Sequence, residues 1–543
     1  MSEAAAAGGA RAPAWDPSRS AAGDRNPWLV AVVVSIATFM VVLDTAIANV
    51  SLRYIAGSMA ASVDESTWVV TTYLIANAVV LPASGWLSNV IGRKRFYMIC
   101  VALFTVSSLF CGMAPSLGSL IFFRILQGLG GGGMPTSEQA ILADTFPPHR
   151  RGQAFALYGV AVIVAPTVGP TVGGWITDNF SWHWIFFINV PIGVASLALV
   201  HWLVDEPEVL ERERRERLQR GLNIDWVGFL LIAATLGCLE VVLDRGEIDD
   251  WFKSATIVTF TWLAAISFLA FVPWELTRDE PIVELRLLFH RQFGMAFFTM
   301  LMIGAILFGS NQIMPQLLQT TFPYTAMLSG LAMMPGGIAM LVLMPIAGQA
   351  TGRFQPKYLM TIGLTGVALS MWYSTSLTPD VSFSYFGWVR VFQMIGLPFL
   401  FIPINAVAYD GLPPDKTNQA SALMNIARNL GGSIGISMAN VVLTQRTQFH
   451  QSRLVENTIP SSPFFQSTLS QVTKYFMAHG AAAGDAKSQA LARIGQMVHT
   501  QATILAYIDV FHVCAVAAAV MIPLVLLMVR RVQLHAGTAA VGH

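Results

Sequence analysis

The chain has 543 residues, of which 54% are hydrophobic and only 12% are charged, and its formal net charge is +1. Soluble globular proteins carry about 25% charged residues, so this composition excludes a water-soluble fold. The small net charge does not identify a partner, because the charges are segregated along the chain and their sum hides that pattern.

Long apolar runs predict the fold class, which is an all-α polytopic membrane protein. A helix needs about 20 apolar residues to cross about 30 Å of hydrocarbon, and the runs are close to or above that length. The sequence therefore predicts 14 transmembrane helices. They lie at residues 28–50, 67–88, 97–114, 118–143, 152–174, 184–204, 226–244, 254–275, 292–318, 326–347, 357–374, 384–408, 418–444 and 507–529.

Positive charges lie mainly in alternate connections between these runs. One set of connections, together with both tails, contains 21 lysines and arginines, whereas the other set contains eight. Lys and Arg are retained on the cytoplasmic side of a membrane. Both termini, with the tails 1–27 and 531–543, are therefore predicted to be cytoplasmic. The first tail is rich in Ala, Gly, Pro and Ser and is expected to be disordered.

Two short motifs occur twice in the chain, in the same order and in corresponding helices. The matched segments are 82–94 with 345–353, and 124–128 with 390–396. Repeats of this kind are typical of alternating-access transporters. They indicate that the chain contains two related halves.

The duplication predicts a domain organisation of two related six-helix bundles, 28–204 and 290–530. The segment between them, 205–289, contains a basic cytoplasmic linker and two inserted helices. The second bundle includes a long external loop, 445–505. The architecture is thus two six-helix bundles plus two additional helices.

Two opposite charges interrupt the first and fourth apolar runs. A charge at the centre of a membrane helix costs about 2.5–3.5 kcal/mol and usually serves function. Asp44 and Arg124 lie at similar depths from the external side. A neighbouring cation favours the ionised form of a carboxylate, and losing it favours protonation. We hypothesise that Asp44 binds a coupling proton and that Arg124 tunes it; the alternative is a permanent structural pair.

Glu138 is a second candidate proton carrier. It follows Arg124 by 14 residues, which places both side chains on nearly the same helix face about 21 Å apart. Because Glu138 also lies near the cytoplasmic end of its helix, a hydrated interfacial acid is an equal alternative. Glu240, in the first inserted helix, is a weaker candidate.

Small residues and prolines alternate in the fifth helix. Small residues at a spacing of four allow another helix to approach closely, and each proline removes a backbone donor and allows a bend. The segment is either a flexible gate between the bundles or an ordinary close-packing face. Its residues are Pro166, Gly169, Pro170, Gly173 and Gly174.

Several polar and aromatic residues in the apolar runs are candidates for the wall of a substrate cavity. Apolar walls with few polar groups suit amphipathic ligands. Arg428 is compatible with two roles, binding an anionic group of a substrate or pairing with an acid. The candidates are Phe39, Met40, Gln127, Asn311, Gln312, Gln316 and Arg428.

Two sequence matches to enzyme motifs are discounted. The segment 128–133 satisfies GxGxxG, but it lies within an apolar helix without a preceding strand. The segment 431–435 satisfies GxSxG, but a nucleophile elbow needs a strand-to-helix turn. Both are interpreted as close-packing faces. No catalytic residue, metal ligand or nucleic-acid site is expected, and no ATP-binding motif is present.

Six segments carry a family resemblance that covers nearly the whole chain after the N-terminal tail. The chain resembles the major facilitator superfamily, in particular its 14-helix drug:proton antiporter branch and the EmrB-type multidrug exporters. The segments are 43–50, 85–95, 124–133, 165–174, 182–191 and 244–246.

The resemblance implies roles for two of these segments. The glycine–proline segment of the fifth helix matches the antiporter signature, which favours the gate. The turn after the second helix resembles a cytoplasmic latch, although Asn89 replaces the usual aspartate and removes its ionic part. The alternative for its cations is anchoring at the cytoplasmic surface. The latch residues are Gly85, Asn89, Gly92, Arg93 and Lys94.

The resemblance also implies a function. We expect a bacterial inner-membrane antiporter that exports amphipathic toxic compounds from the cytoplasm or inner leaflet, with protons as coupling ion and no other cofactor. EmrB-type exporters work with an EmrA-type periplasmic adaptor and an outer-membrane channel, and the amphipathic stretches 464–477 and 486–500 are candidates for the adaptor contact. The alternatives are export of one endogenous metabolite, such as a siderophore or lipid-like product, a membrane-embedded enzyme, and a passive channel.

Overall fold

The computed structural model describes residues 20–23, 25–219, 225–278, 281–322, 324–410, 412, 416–456 and 458–528. Throughout this described part the chain is helical, without a β-strand, as the sequence predicts. The tail 531–543 and most of the tail 1–27 lie outside the described residues.

Eighteen α-helices form the described part of the chain. Each predicted apolar run overlaps one of them, except that the sixth and twelfth runs each cover two consecutive helices. In order they are α1 (Pro27–Ser58), α2 (Val63–Ile91), α3 (Arg93–Gly112), α4 (Leu117–Thr145), α5 (Pro148–Asn179), α6 (Trp184–Phe187), α7 (Asn189–Leu203), α8 (Glu208–Gln219), α9 (Trp226–Arg245), α10 (Ala255–Thr277), α11 (Arg291–Thr320), α12 (Ala326–Arg353), α13 (Pro356–Ser374), α14 (Phe383–Gly396), α15 (Pro398–Ala408), α16 (Thr417–Val455), α17 (Pro463–Ala478) and α18 (Ala483–Met528).

Ten helical segments among the described residues are long and apolar enough to cross a membrane. The number is 11 if the two halves of α5, bent by 42°, form one span. The helices α4, α13 and α16 occupy the remaining predicted runs but are less apolar. The chain is therefore a multi-pass membrane protein, whereas the count of 14 spans and the cytoplasmic location of the termini remain predictions.

Corresponding helices of the two halves pack in the same pairs. Helix α1 packs against α5 as α11 packs against α16, and α2 packs against α4 as α12 packs against α14. The halves meet along two seams, α5 with α12 and α2 with α16. This arrangement follows the internal repeat of the sequence, although the domain boundaries themselves stay predictions.

The two inserted helices lie beside one seam. Helix α9 packs against α2 and against α10, and has a smaller contact with α16. Helix α10 packs chiefly against α9, and its outer face exposes large apolar side chains, including Trp262 and Leu269. Such a face is suited to contact with lipid.

The predicted external loop 445–505 is largely helical. Helices α16 and α18 have 39 and 46 residues, so at 1.5 Å per residue they are about 58 and 69 Å long and extend well beyond the hydrocarbon. Helix α17 packs on the start of α18 through Leu469, Ala490 and Ile494. Both predicted amphipathic stretches are helical, and the second continues into the last helix as the sequence suggests.

The two bundles are in close contact at the end assigned to the cytoplasm. A β-carbon on Gly85 of α2 would lie 2.9 Å from the carbonyl oxygen of Asn418 in α16. At the other seam, a β-carbon on Gly152 of α5 would lie 3.0 Å from the carbonyl oxygen of Gly348 in α12. The absence of side chains at these glycines lets the helices meet, so this conformation is closed at that end.

Candidate functional site

The structure brings Asp44 of α1 and Arg124 of α4 together as a buried ion pair. The Arg124 Nη1 atom lies 2.6 Å from Asp44 Oδ2, and neither side chain is more than 1% exposed. The guanidinium also donates to the Val69 carbonyl oxygen from Nε, at 3.0 Å, and lies 4.3 Å from the centroid of the Tyr73 ring. The structure thus contains the pairing that the sequence suggests.

Two amide side chains complete the surroundings of Asp44. Asn189 of α7 and Gln127 of α4 donate to Asp44 Oδ1 at 2.7 and 3.1 Å. Gln127 also accepts from Arg124 Nη1 at 2.8 Å. Asp44 is thus surrounded by hydrogen-bond donors from α4 and α7. Gln127, expected in the substrate cavity, thus belongs to the Asp44 cluster, and the role of Asn189 was missed by sequence reasoning.

Glu138 forms a second, different site deeper in α4. Its side chain is fully buried, so the alternative of a hydrated interfacial acid does not describe this conformation. Ser35 Oγ donates to Glu138 Oε1 at 2.7 Å, and Thr38 Oγ1 donates to Oε2. No cationic side chain among the described residues lies within ion-pair distance of Glu138. Its recorded partners are thus hydroxyl groups.

A network of polar side chains crosses between the bundles next to Glu138. Asn425 of α16 donates to Gln139 Oε1 of α4 at 2.9 Å. Arg428 donates to the hydroxyl of Tyr158 in α5, and its described surroundings contain no carboxylate at ion-pair distance. The structure therefore does not pair Arg428 with an acid. Sequence reasoning missed Gln139 and Tyr158, whose signal is a polar group within an apolar run.

The second bundle repeats the arginine but not the aspartate. Arg390 Nη1 of α14 donates to Gln393 Oε1 at 2.7 Å, and Nη2 donates to Asn311 Oδ1 of α11. Gln393 in turn donates to Ser310 Oγ at 2.5 Å. Arg390 is only 1% exposed, and no carboxylate of the described residues pairs with it. Asn311, expected in the cavity wall, lies in this cluster.

The glycines of the fifth helix pack within the first bundle. A β-carbon on Gly169 would lie 2.5 Å from the β-carbon of Ala46, and one on Gly173 would lie 2.9 Å from the side chain of Ile47. The small face therefore packs on α1 of its own bundle, and its role as a gate stays a prediction. Thr171 instead faces the second bundle, against Gly330 of α12.

The predicted proline bend is present in α5. The segments 150–166 and 168–179 meet at 42° next to Pro166, and Pro170 follows one turn later. Gly174 is buried beside Gly173. Because α5 is the helix that forms a seam with α12, the bend lies where the bundles meet.

The basic turn contacts both bundles. Arg93 forms an ion pair with Asp144 at the end of α4, while Asn89 accepts a hydrogen bond from Asn418 of the second bundle. Gly92 has φ +102°, a backbone conformation that side chains disfavour. Lys94 Nζ donates to the carbonyl oxygen of His201 at 2.9 Å. The hydrogen bond of Asn89 with the second bundle is thus neutral, as the replacement at this position suggests.

The remaining candidates for the cavity wall differ in their exposure. Met40 is fully buried in the apolar core, so it does not line an open cavity in this conformation. Phe39 is half-buried against an apolar cluster of the first bundle. In α11, Gln312 is exposed and Gln316 is half-buried.

Comparison with known proteins identifies the family. The family model for the Major Facilitator Superfamily matches residues 34–436. Multidrug export protein EmrB of Escherichia coli strain K12 is 36% identical over 488 residues, covering 90% of this chain and 92% of that protein. Fatty acid resistance protein FarB of Neisseria gonorrhoeae is 33% identical over 496 residues, covering 91% and 95%.

A solved structure supports the fold. The structure of the proton:xylose symporter XylE, which belongs to the same superfamily, aligns with a TM-score of 0.56 over 91% of this chain and 96% of that chain. Its 14% sequence identity makes this a likeness of fold alone. Sequence and fold agree: the chain belongs to the major facilitator superfamily, as an EmrB-type multidrug efflux permease.

Proposed function

We propose that this protein exports amphipathic toxic compounds from the cytoplasm or inner leaflet in exchange for protons. The two bundles rock against each other and expose a cavity between them to each side in turn. The names of the relatives support drug export, and the buried acids of the first bundle support proton coupling. No cofactor other than the proton is required.

The surroundings of Glu138 are the observation that carries this proposal. A serine or threonine hydroxyl donates to a carboxylate and also accepts from a carboxylic acid, so Ser35 and Thr38 can accompany Glu138 in both protonation states. Glu138 also lies beside the cross-bundle network of Gln139 and Asn425. The geometry therefore favours Glu138, which sequence reasoning ranked second, as a proton carrier.

Asp44 has a complementary role in the proposal. Its hydrogen-bond partners are Arg124, Gln127 and Asn189, so its surroundings change only when α1, α4 and α7 rearrange. Helix α5 connects that change to the movement of the bundles. It packs on α1 immediately after Asp44, through Gly169 and Gly173, and on α12 through Thr171.

The proposal is tested with purified protein in vesicles carrying an imposed pH gradient. We expect Glu138→Gln and Asp44→Asn each to abolish gradient-driven uptake into these vesicles, because an amide side chain cannot bind and release a proton as a carboxylate does. Exposed Lys474→Gln, in α17, is the matched charge-removing control and should retain full transport. Undiminished transport by wild-type protein after an uncoupler collapses the gradient would refute proton coupling and favour a passive channel.

A second candidate function is export of one lipid-like endogenous product. The similarity to a protein named for fatty acid resistance favours this alternative. A panel of chemically unrelated toxic compounds in an efflux-deficient host separates the two functions, because a dedicated exporter protects against one chemical class only.

We further propose a location in the bacterial inner membrane and a complex with an EmrA-type periplasmic adaptor and an outer-membrane channel. The helical extension formed by 445–455, α17 and the start of α18 is long enough to reach an adaptor outside the membrane. Deletion of 458–480 should abolish co-purification of the adaptor while leaving the membrane helices folded. An adaptor that still co-purifies would exclude this extension as the contact.

A further inference from the structure

Two polar residues that have no part in the proposed transport mechanism contact each other between α9 and α16. Ser433 of α16 donates to Glu240 Oε1 of α9 at 2.9 Å. Glu240 is only 7% exposed, although its helix is one of the two inserted between the bundles. Ser433 lies in the segment 431–435 that resembles a nucleophile motif. Its contact with Glu240 connects the first inserted helix to the second bundle.

Helix α9 is anchored firmly to the first bundle. Arg245 Nη1 donates to Thr67 Oγ1 of α2 at 3.0 Å, and its guanidinium lies 5.2 Å from the centroid of the Trp68 ring. Asp244 accepts from the Thr71 hydroxyl. A β-carbon on Gly237 would be in van der Waals contact with α2, 3.4 Å from the side chain of Val79. Helix α9 is therefore expected to move with α2.

The Glu240–Ser433 hydrogen bond lies alongside the α2–α16 seam. One turn before Ser433, Asn429 of α16 donates to Asn77 Oδ1 of α2 at 3.4 Å. The seam is thus closed by a direct contact and, beside it, by a contact through α9. Because α9 is anchored to α2, a movement of α16 relative to α2 changes the distance between Glu240 and Ser433.

The consequences of breaking this contact are unequal for its two partners. Ser433 Oγ also donates to the Asn429 carbonyl oxygen of its own helix at 3.3 Å, so the hydroxyl keeps a partner. Glu240 has no other recorded side-chain hydrogen bond among the described residues, and a buried carboxyl without a partner is unfavourable. The contact therefore favours the conformation in which it is formed.

We propose that α9 is a clasp across the α2–α16 seam, with Glu240 as a positioning residue that holds Ser433. The clasp stabilises the conformation closed at the cytoplasmic end and so sets the balance between the two conformations of the transport cycle. This inference rests on the proposed rocking of the bundles and assigns the inserted helices a part in it.

Spin-label distance measurements test the clasp in the full-length protein. Labels at Arg95 and Phe354, both exposed at the cytoplasmic ends of different bundles, report whether these ends are together or apart. In a cysteine-free background, Glu240→Leu and Ser433→Ala should each raise the population with separated ends about two- to tenfold, the range for one net hydrogen bond. The double variant should not exceed the larger single effect.

Two further variants separate a clasp from general damage to α9. Glu240→Gln retains an oxygen that accepts from Ser433 and should resemble wild type. Thr235→Val removes another buried hydroxyl of α9, one that bonds to the Leu231 carbonyl oxygen of its own helix, and should leave the populations unchanged.

The outcomes distinguish the inference from the function on which it rests. Two populations in wild type that no variant shifts, additive single effects, or an equal shift by Thr235→Val would each refute the clasp and leave alternating access intact. A single distance in wild type, unchanged by pH and by an added substrate, would refute alternating access itself.

Discussion

The two halves of this transporter contain the same arginine in different chemical surroundings. In the first half, Arg124 is neutralised by Asp44 at 2.6 Å. In the second half, Arg390 occupies the corresponding position of the repeat, but its recorded partners are Asn311 and Gln393. Each arginine donates to a glutamine three residues later in its own helix. The two clusters thus share an arginine and a glutamine but differ in the third group, which is an acid in the first half and an amide in the second.

This difference indicates where proton chemistry can take place. A carboxylate can bind and release a proton, whereas an amide and a guanidinium keep their charge states at physiological pH. The first bundle also contains the buried acid Glu138. In the described second bundle, no acid pairs with Arg390 as Asp44 pairs with Arg124. We infer that the first bundle carries protons and that the second supplies fixed polar groups.

The largest difference between the halves is expected when each arginine is removed. Arg124→Leu leaves Asp44 buried without its cation, which should reduce the free energy of unfolding by about 3–5 kcal/mol. Arg390→Leu removes a buried charge and leaves only neutral partners unsatisfied, a loss of about 1–3 kcal/mol. Thermal unfolding of both variants in detergent provides the comparison.

A double variant is the control for this prediction. Asp44→Leu combined with Arg124→Leu removes both charges, and replacing a buried ion pair by apolar groups is often neutral or stabilising. Most of the stability should return, while proton-driven transport should not. Equal destabilisation by the two single variants, or a double variant no more stable than Arg124→Leu, would contradict the contrast between the halves.

The sequence predicts the helices and part of the Asp44 cluster for simple physical reasons. Apolar runs long enough to cross a bilayer have few structural alternatives to a helix. The pairing of Asp44 with Arg124 can be proposed because depth in the membrane follows from residue number. The depth of a residue in the membrane does not, however, reveal which neighbouring helix its side chain faces. For that reason the sequence does not identify α1 as the neighbour of the small face of Gly169 and Gly173.

Contacts between distant segments are the part that sequence patterns do not predict. Ser35 and Thr38 precede Glu138 by about 100 residues. Hydroxyl side chains are common in membrane helices, so their presence alone does not indicate a functional site. The contact of Glu240 with Ser433 joins an inserted helix to the second bundle. Neither helix has a sequence feature that identifies the other as its neighbour, so only the packed structure brings them together.

The smallest expected effect comes from introducing an acid beside Arg390 in the second half. Asn311→Asp replaces an amide with a carboxylate of almost the same shape beside Arg390. A hydrogen bond to a charged group contributes about 1 kcal/mol more than a neutral one, but desolvation of the new charge offsets part of that gain. We therefore expect a thermal unfolding midpoint equal to or slightly above that of wild type, and transport within about threefold of wild type, a change of under 1 kcal/mol in the barrier.

The same substitution in an Asp44→Asn background asks whether an acid beside an arginine is sufficient for coupling. Proton-driven transport should remain abolished, because the new carboxylate lies in α11, away from the α1–α5 contact made by Gly169 and Gly173. Recovery of pH-gradient-driven transport in this double variant would show that the two arginine clusters are interchangeable. The proton pathway would then have to be assigned to both bundles, and the contrast between a titrating first half and a fixed second half would be wrong.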